Sequence, residues 1–258
     1  ATWRASAAHF TGVGWLVGGV VALLTWGLLA LLPAGPFVPL VAAALGTALS
    51  VVMTGAFHED GLADVADGLG GSYNRERALE IMKDSRVGAF GAIAVMLALL
   101  CKVALLAMLG SLSMGLMVAG VFAAHVVSRT WPLLTIRLLP HVGDSAVSKS
   151  KPLAAQISLP ALGVANLWCF LALALVGFAP DAIYLVANSG WPSANLWPLW
   201  GLATGFSVLA WSWMHRWFAK RLQGFTGDCL GAAQQVSEIA FYLGLALAWG
   251  LWPAGATP

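Results

Sequence analysis

Four carboxylates lie within nine residues of an otherwise apolar stretch, at Glu59, Asp60, Asp64 and Asp67. The three aspartates are spaced i, i+4 and i+7, so a helix would place them on one face, within an arc of roughly 60°. Carboxylates this close repel one another unless a cation lies among them. Hard oxygen ligands at this density suit Mg²⁺, or Mn²⁺ in its place, in a site that substrate phosphates complete. The stretch therefore predicts a divalent-cation site.

The alternative interpretation is a solvated loop between two apolar segments. A second charged run, 80–86 (EIMKDSR), argues against it. Lys83 and Arg86 of that run would supply phosphate contacts beside an acidic metal site. Together the two runs indicate metal-assisted phosphoryl transfer, in which one carboxylate takes a proton from an attacking hydroxyl.

Other chemistries lack their sequence motifs. The chain has no His–Glu zinc spacing, no Walker loop and no Gly-x-Ser-x-Gly elbow. A cation transporter or channel, with the acidic stretch as an ion-binding mouth, is the alternative from another class. It would predict carboxylates at mid-membrane depth, whereas these lie at the edge of an apolar segment among basic residues. We expect no nucleic-acid partner.

The composition is that of an integral membrane protein. Of 258 residues, 60% are hydrophobic and 9% are charged, against about 25% charged in a typical soluble domain. We predict an all-α fold with about seven transmembrane helices, forming one polytopic membrane domain over residues 1–258. The predicted spans cover about 12–32, 37–57, 88–109, 114–136, 159–178, 196–215 and 236–252.

The basic residues outside these spans all lie on one side of the predicted membrane. They are Arg4; Arg75, Arg77, Lys83 and Arg86; Arg137, Lys149 and Lys151; and Arg216, Lys220 and Arg221. This asymmetry predicts a cytoplasmic N-terminus and places the acidic stretch at the cytoplasmic edge of the membrane. We expect no cleavable signal peptide, because a full-length span follows Arg4 with no small-residue cleavage site.

Two basic residues, Lys102 and Arg129, fall inside predicted spans. A charge in hydrocarbon is costly unless it is paired or faces a wet cavity. For Arg129 we prefer a substrate cavity over snorkelling to an interface, whereas for Lys102 the two interpretations stay open. His125, one turn before Arg129, and Glu238, at the start of the last predicted span, are candidates for the same cavity.

Three runs carry a resemblance to a known family. They are 54–68 (TGAFHEDGLADVADG), 79–91 (LEIMKDSRVGAFG) and 224–232 (GFTGDCLGA). They closely resemble the motifs of cobalamin synthase, also called adenosylcobinamide-GDP ribazoletransferase, in that family's order and spacing. The resemblance extends over nearly the whole chain.

The resemblance implies an activity, partners and a location. The family joins adenosylcobinamide-GDP to α-ribazole, or to α-ribazole 5′-phosphate, and releases GMP in the final nucleotide-loop assembly stage of cobalamin biosynthesis. It implies a phosphotransferase that requires Mg²⁺ and lies in the bacterial inner membrane, with the lipid bilayer as a further partner and a homo-oligomer as a possible state.

The resemblance also implies roles for individual residues. The family's acidic motif falls on Asp60, Asp64 and Asp67, which would bind Mg²⁺ and act in catalysis, with Asp84 as a further ligand or as the base. The implied substrate contacts are His58, Glu59, Lys83, Arg86, Ser148, Lys149 and Asp228; Arg129 is added to them because of its place inside a predicted span. For Asp228 the alternative is an N-cap of the last span.

Overall fold

The computed structural model describes residues 9–143, 157–178 and 196–251, which form a helical bundle without β-strands in these ranges. The helices are α1 (Phe10–Leu31), α2 (Val38–Thr54), α3 (Phe57–Gly71), α4 (Arg75–Ile81), α5 (Ala89–Leu112), α6 (Met114–Leu138), α7 (Leu159–Phe178), α8 (Trp197–Arg221) and α9 (Gly227–Gly250). The prediction of an all-α fold is confirmed.

A helix is present at each of the seven predicted spans, and α7 has the predicted bounds. Four of the described helices, α1, α5, α6 and α7, are long and apolar enough to cross a membrane. The pair formed by α2 and α3 counts as a fifth candidate if it is one broken span. The described part of the chain is therefore a multi-pass membrane protein with four or five candidate spans.

The acidic stretch forms a helix of its own, α3, which turns away from α2 by 87°. Two successive residues in the left-handed region, Gly55 at φ 61° and Ala56 at φ 56°, make this bend. The amide of Ala56 donates to the Val51 carbonyl at 2.8 Å, which closes the end of α2 in the manner of a Schellman motif. The predicted polar segment is thus an ordered helix that leaves the end of α2 nearly at a right angle.

The centre of the bundle is formed by α6 and α9. Most residues of α6 are buried, and α9 packs against α3, α5, α6 and α8. The outer helices α1, α5 and α7 carry exposed apolar side chains such as Leu23, Leu100 and Phe170. An apolar exterior around an interior that contains polar groups is the pattern expected of a bundle in lipid.

Arginines join the acidic helix to the end of α8. Arg221 donates to the carbonyls of Leu69 at 3.3 Å and Ser72 at 2.5 Å, where α3 ends. In return, Arg75 donates from Nε to the carbonyl of Leu222 at 2.7 Å, where α8 ends. Each arginine thereby satisfies carbonyls at a helix end that have no partner within the helix. These two side chains therefore connect the end of α8 to the region where α3 ends and α4 begins.

Candidate active site between α3 and α9

The acidic helix meets the start of α9 at a point of close backbone contact. A Cβ added at Gly61 would lie 2.7 Å from the carbonyl oxygen of Asp228 and 3.0 Å from its Cα. A second close approach joins Gly231 to His58, where an added Cβ would lie 3.2 Å from the His58 Cα. At position 61 only glycine allows the two backbones this proximity, which brings the residues beside Gly61 next to Asp228.

Four aspartates from the two helices are near one another as a result. Asp60, Asp67 and Asp228 all act electrostatically on Asp64, and Asp60 also acts on Asp228. Asp60 is exposed, and Asp64 and Asp228 are partly buried. Asp228 thus joins the predicted metal ligands from the other end of the chain.

The donor atoms do not form a closed metal cage. Within residues 9–143, 157–178 and 196–251, no three His, Cys, Asp or Glu side chains lie close enough to hold a metal ion by themselves. Mg²⁺ is commonly bound by one or two carboxylates and completed by water and substrate phosphates. The group of Asp60, Asp64 and Asp228 therefore fits a Mg²⁺ site that water and substrate phosphates complete, and it does not fit a site made of protein ligands alone.

Asp228 lies in the first turn of α9, which begins well before the predicted last span. The N-cap is Thr226, whose Oγ1 accepts from the amide of Cys229 at 3.4 Å and donates to Asp228 Oδ2 at 3.1 Å. The alternative role of Asp228 as the N-cap is therefore wrong. The helix starts early because Thr226 caps it and a carboxylate in the first turn is favourable there.

The segment before α9 is held by the chain that follows α6. The amide of Val142 donates to the Phe225 carbonyl at 2.9 Å, and the amide of Phe225 donates to the Pro140 carbonyl at 3.0 Å. A Cβ at Gly224 would collide with Pro140 and Val142. These contacts fix the direction from which α9 starts. Ser148 and Lys149, both predicted substrate contacts, lie outside the described residues.

Asp67 faces a different partner from the other aspartates. It is 8% exposed, and its two oxygens accept from the amides of Gly88 at 2.7 Å and Gly91 at 2.8 Å. Both amides belong to the first turn of α5. Its role as a metal ligand stays a prediction.

The second charged run comprises the end of α4 and the loop between α4 and α5. Arg86 donates to both oxygens of Asp84, with Nη2 at 2.6 Å from Oδ2 and Nε at 3.0 Å from Oδ1. These bonds lower the pKa of Asp84 to about 2, which makes it a weak proton acceptor. Lys83 is exposed on the same loop. The roles of Asp84, Lys83 and Arg86 in the site stay predictions.

The other face of α3 points into the bundle. Glu59 is buried and accepts from Gln235 Nε2 of α9 at 2.6 Å, and His58 is buried beside it. One of the two carboxylate oxygens of Glu59 has no hydrogen-bond partner. Glu59 thus holds α3 on α9 from inside, whereas Asp60 and Asp64 point outward.

Lys102 and Arg129 are both buried inside the bundle, so snorkelling is wrong for each of them. Lys102 Nζ lies 2.8 Å from Glu238 Oε1, and both side chains are at most 2% exposed. Arg129 Nη1 contacts the His125 carbonyl at 2.7 Å and His125 Nδ1 at 3.0 Å. Glu238 lies in the middle of α9, not at the start of a span.

Sequence reasoning missed several polar residues of this interior. Tyr242 donates to Glu238 Oε1 at 2.9 Å, and Gln234 donates to Glu238 Oε2 at 2.8 Å and to Ser128 at 3.0 Å. A signal for them exists, because Gln234, Glu238 and Tyr242 recur at i, i+4 and i+8 and so share one helix face. A polar stripe on an apolar helix indicates a face turned inward.

The Gly61 contact leads to a first prediction. By helix propensity alone, Gly61→Ala would stabilise α3 by about 1 kcal/mol. We expect it instead to reduce turnover about a hundredfold, because its Cβ would meet the Asp228 backbone and push α9 away from Asp64. The measurement is kcat in detergent. The control is Gly19→Ala, where an added Cβ meets nothing within 4 Å. Equal turnover in both variants would refute the contact.

Fold and site together define a multi-pass helical membrane protein with a carboxylate site between two helices. The chain belongs to the cobalamin-5-phosphate synthase family, whose model matches residues 1–246. This membership makes it a transferase of cobalamin synthesis.

Similar proteins cover nearly the whole chain. The adenosylcobinamide-GDP ribazoletransferase of Albidiferax ferrireducens is 68% identical over 95% of this chain and 87% of its own length. Proteins of the same name from Polaromonas sp. and Leptospira interrogans are 60% and 36% identical, over 95% and 96% of this chain and 86% and 87% of their own lengths. No solved structure matches the chain significantly.

Proposed function

We propose that this protein transfers the adenosylcobinamide phosphate moiety from adenosylcobinamide-GDP to α-ribazole or its 5′-phosphate and releases GMP. The observation that carries the proposal is the meeting of Asp64 on α3 with Asp228 on α9, in a chain whose relatives are named for this reaction. Carboxylates from α3 and α9 lie near one another without enclosing a metal ion. Such an arrangement suits a diphosphate that is bound together with a metal ion.

The donor set favours Mg²⁺, with Mn²⁺ as a possible substitute. One or two carboxylates of the group Asp60, Asp64 and Asp228 would hold it together with the substrate phosphates, and a bound divalent ion there would offset the negative charge of the diphosphate. Asp67 and Asp84 are the weaker members of the predicted ligand set, because the first accepts two backbone amides and the second is bonded to Arg86. A site of this kind is incomplete until the substrate arrives.

The chain's own residues would divide the work of the transfer. Lys83 and Arg86 would neutralise the diphosphate from the loop between α4 and α5. A carboxylate, Asp60 or Asp64, would take the proton from the ribazole hydroxyl as its oxygen attacks the phosphorus next to the cobinamide side chain. The bond from that phosphorus to the bridging oxygen breaks, and GMP leaves with that oxygen.

We further propose that the chain crosses the bacterial inner membrane seven times, with its N-terminus in the cytoplasm. The one-sided distribution of Lys and Arg supports this orientation. It would put α3, the charged loop and the start of α9 at the cytoplasmic edge. To test this orientation, Arg77 is replaced by cysteine and intact cells are treated with a membrane-impermeant maleimide. Labelling of this cysteine before the cells are lysed would refute a cytoplasmic loop.

The decisive test of the activity uses purified protein in lipid nanodiscs. Adenosylcobinamide-GDP and α-ribazole, or its 5′-phosphate in a second reaction, are supplied with Mg²⁺ or with EDTA. We expect a cobalamin product and one equivalent of GMP with Mg²⁺ and neither with EDTA. No product with either acceptor, from protein that elutes as a single folded species, would overturn the proposal.

A further inference from the structure

Asp67 holds the start of α5 from a helix that precedes it in the chain. Its two carboxylate oxygens accept separately from Gly88 N at 2.7 Å and Gly91 N at 2.8 Å. Gly88 is the N-cap position of α5 and has no side chain with which to cap the helix, while Gly91 is its third residue. Amides in a helix's first turn have no partner within the helix, and an anion there is favoured by the helix dipole. Asp67 therefore serves as the cap of α5.

The Asp67 carboxylate leaves no room for a side chain at Gly88 or at Gly91. A Cβ added at Gly88 would lie 2.5 Å from Asp67 Oδ1, and one added at Gly91 would collide with Asp67 Oδ2. Gly88 has φ −89° and ψ −178°, a backbone that any residue adopts. Space for the Asp67 carboxylate, not backbone freedom, therefore explains glycine at position 88.

The cap also sets the place of the charged loop. The loop carrying Lys83 and Arg86 runs from the end of α4 into Gly88, so the residue that fixes Gly88 fixes one end of the loop. Asp67 itself is 8% exposed, whereas Asp60 is exposed and Asp64 is partly buried. The same helix thus presents two aspartates outward and turns the third onto α5.

We propose that Asp67 is a positioning residue, not a metal ligand: it caps α5 and thereby fixes the end of the loop that carries Lys83 and Arg86. The step from loop position to substrate rests on the proposed function. The cap itself does not, so the test includes measurements that need no turnover.

The test moves the cap from Asp67 to the helix's own N-cap position. In Asp67→Ala the space beside Gly88 opens, and Gly88→Asp then supplies a local carboxylate for the Gly91 amide. Three variants are compared: Asp67→Ala, Gly88→Asp and the double variant. The double variant restores both the negative charge and the cap, but it leaves no carboxylate at position 67. A cap can be rescued in this way, whereas a ligand of fixed geometry cannot.

Three quantities are measured on each purified variant. They are backbone hydrogen exchange at residues 88–92, Mn²⁺ affinity by electron paramagnetic resonance with inorganic pyrophosphate present, and KM and kcat for adenosylcobinamide-GDP. In Asp67→Ala we expect exchange to rise about tenfold, KM to rise more than kcat falls, and Mn²⁺ affinity to change less than about threefold. In the double variant we expect exchange protection and KM to return towards their original values.

Ser113→Ala is the matched control, because Ser113 caps α6 by accepting from the Leu116 amide at 3.3 Å, at the far end of α5. It should raise exchange at the start of α6 and leave KM unchanged, which separates a positioning effect from general loss of a cap. An Mn²⁺ affinity that falls tenfold or more in Asp67→Ala and is not recovered in the double variant would overturn the proposal. Unchanged exchange at 88–92 in Asp67→Ala would overturn it as well. Neither result depends on whether the preparation has transferase activity.

Discussion

Asp64→Asn is expected to reduce turnover by more than about a hundredfold, a loss larger than those usual for residues that only support a metal's ligands. Asp64 is the aspartate on which Asp60, Asp67 and Asp228 all act, so it lies at the centre of the charge group. Asparagine keeps the shape of the side chain and removes its charge. The measurement is kcat across a range of Mg²⁺ concentrations, and we expect the Mg²⁺ concentration for half-maximal activity to rise.

The control for Asp64→Asn is Glu80→Gln, which removes a carboxylate that is exposed and paired with Arg77 at 2.9 Å. Exposed ion pairs of this kind contribute little to stability. We therefore expect Glu80→Gln to behave like the original protein. Turnover of Asp64→Asn within threefold of the original, at the same Mg²⁺ concentration, would show that the carboxylates between α3 and α9 are not the site.

Glu238→Gln is expected to destabilise the bundle by roughly 3–5 kcal/mol, as when one partner of a buried ion pair is removed. Two buried cations, Lys102 and Arg129, act electrostatically on the buried Glu238, and Glu59 also acts on Arg129. Neutralising Glu238 leaves Lys102 without its partner at 2.8 Å. The measurement is the temperature of half-aggregation in detergent, which we expect to fall by roughly 10 °C.

The matched control for this prediction is the double variant Lys102→Met/Glu238→Gln. It removes one charge of each sign, so the net charge of the bundle's interior is the same as in the original protein. We expect it to recover at least half of the lost temperature, because a neutral replacement of a buried pair is often tolerated. A double variant less stable than Glu238→Gln would mean that the pair stabilises the bundle through more than charge balance.

The sequence predicts features that depend on neighbouring residues. The bounds of α7 follow from one uninterrupted apolar run. The sequence predicts the last helix to begin at about residue 236, later than its actual start, because Gly224, Gly227 and Asp228 are typical of turns. The cap at Thr226 was a local signal that could have corrected it.

Contacts between distant residues could not be predicted in the same way. The spacing of the aspartates predicts one shared helix face, whereas Asp60 is exposed and Asp67 packs onto α5. No residue near Asp67 indicates that its partners are Gly88 and Gly91. Lys102 similarly carries no sign in its own helix that Glu238 is its partner. Such pairs depend on how the helices pack. Hydrophobic periodicity predicts where helices lie in the sequence, but it does not predict which helices pack against each other. The motif predicts where in the chain the site carboxylates lie, and packing decides what each carboxylate faces.

The buried ion pair has a consequence for the order in which the protein is made. The ribosome delivers α3, Lys102 and Arg129 long before it delivers Glu238, Asp228 and Arg221. Until α9 has been made, Lys102 has no anion beside it, and α3 lacks the helix that brings Asp228 to it. Closure of the bundle and assembly of the site are thus a single late event. We therefore expect a chain that stops before α9 to be unstable, because Lys102 would be buried without its anion.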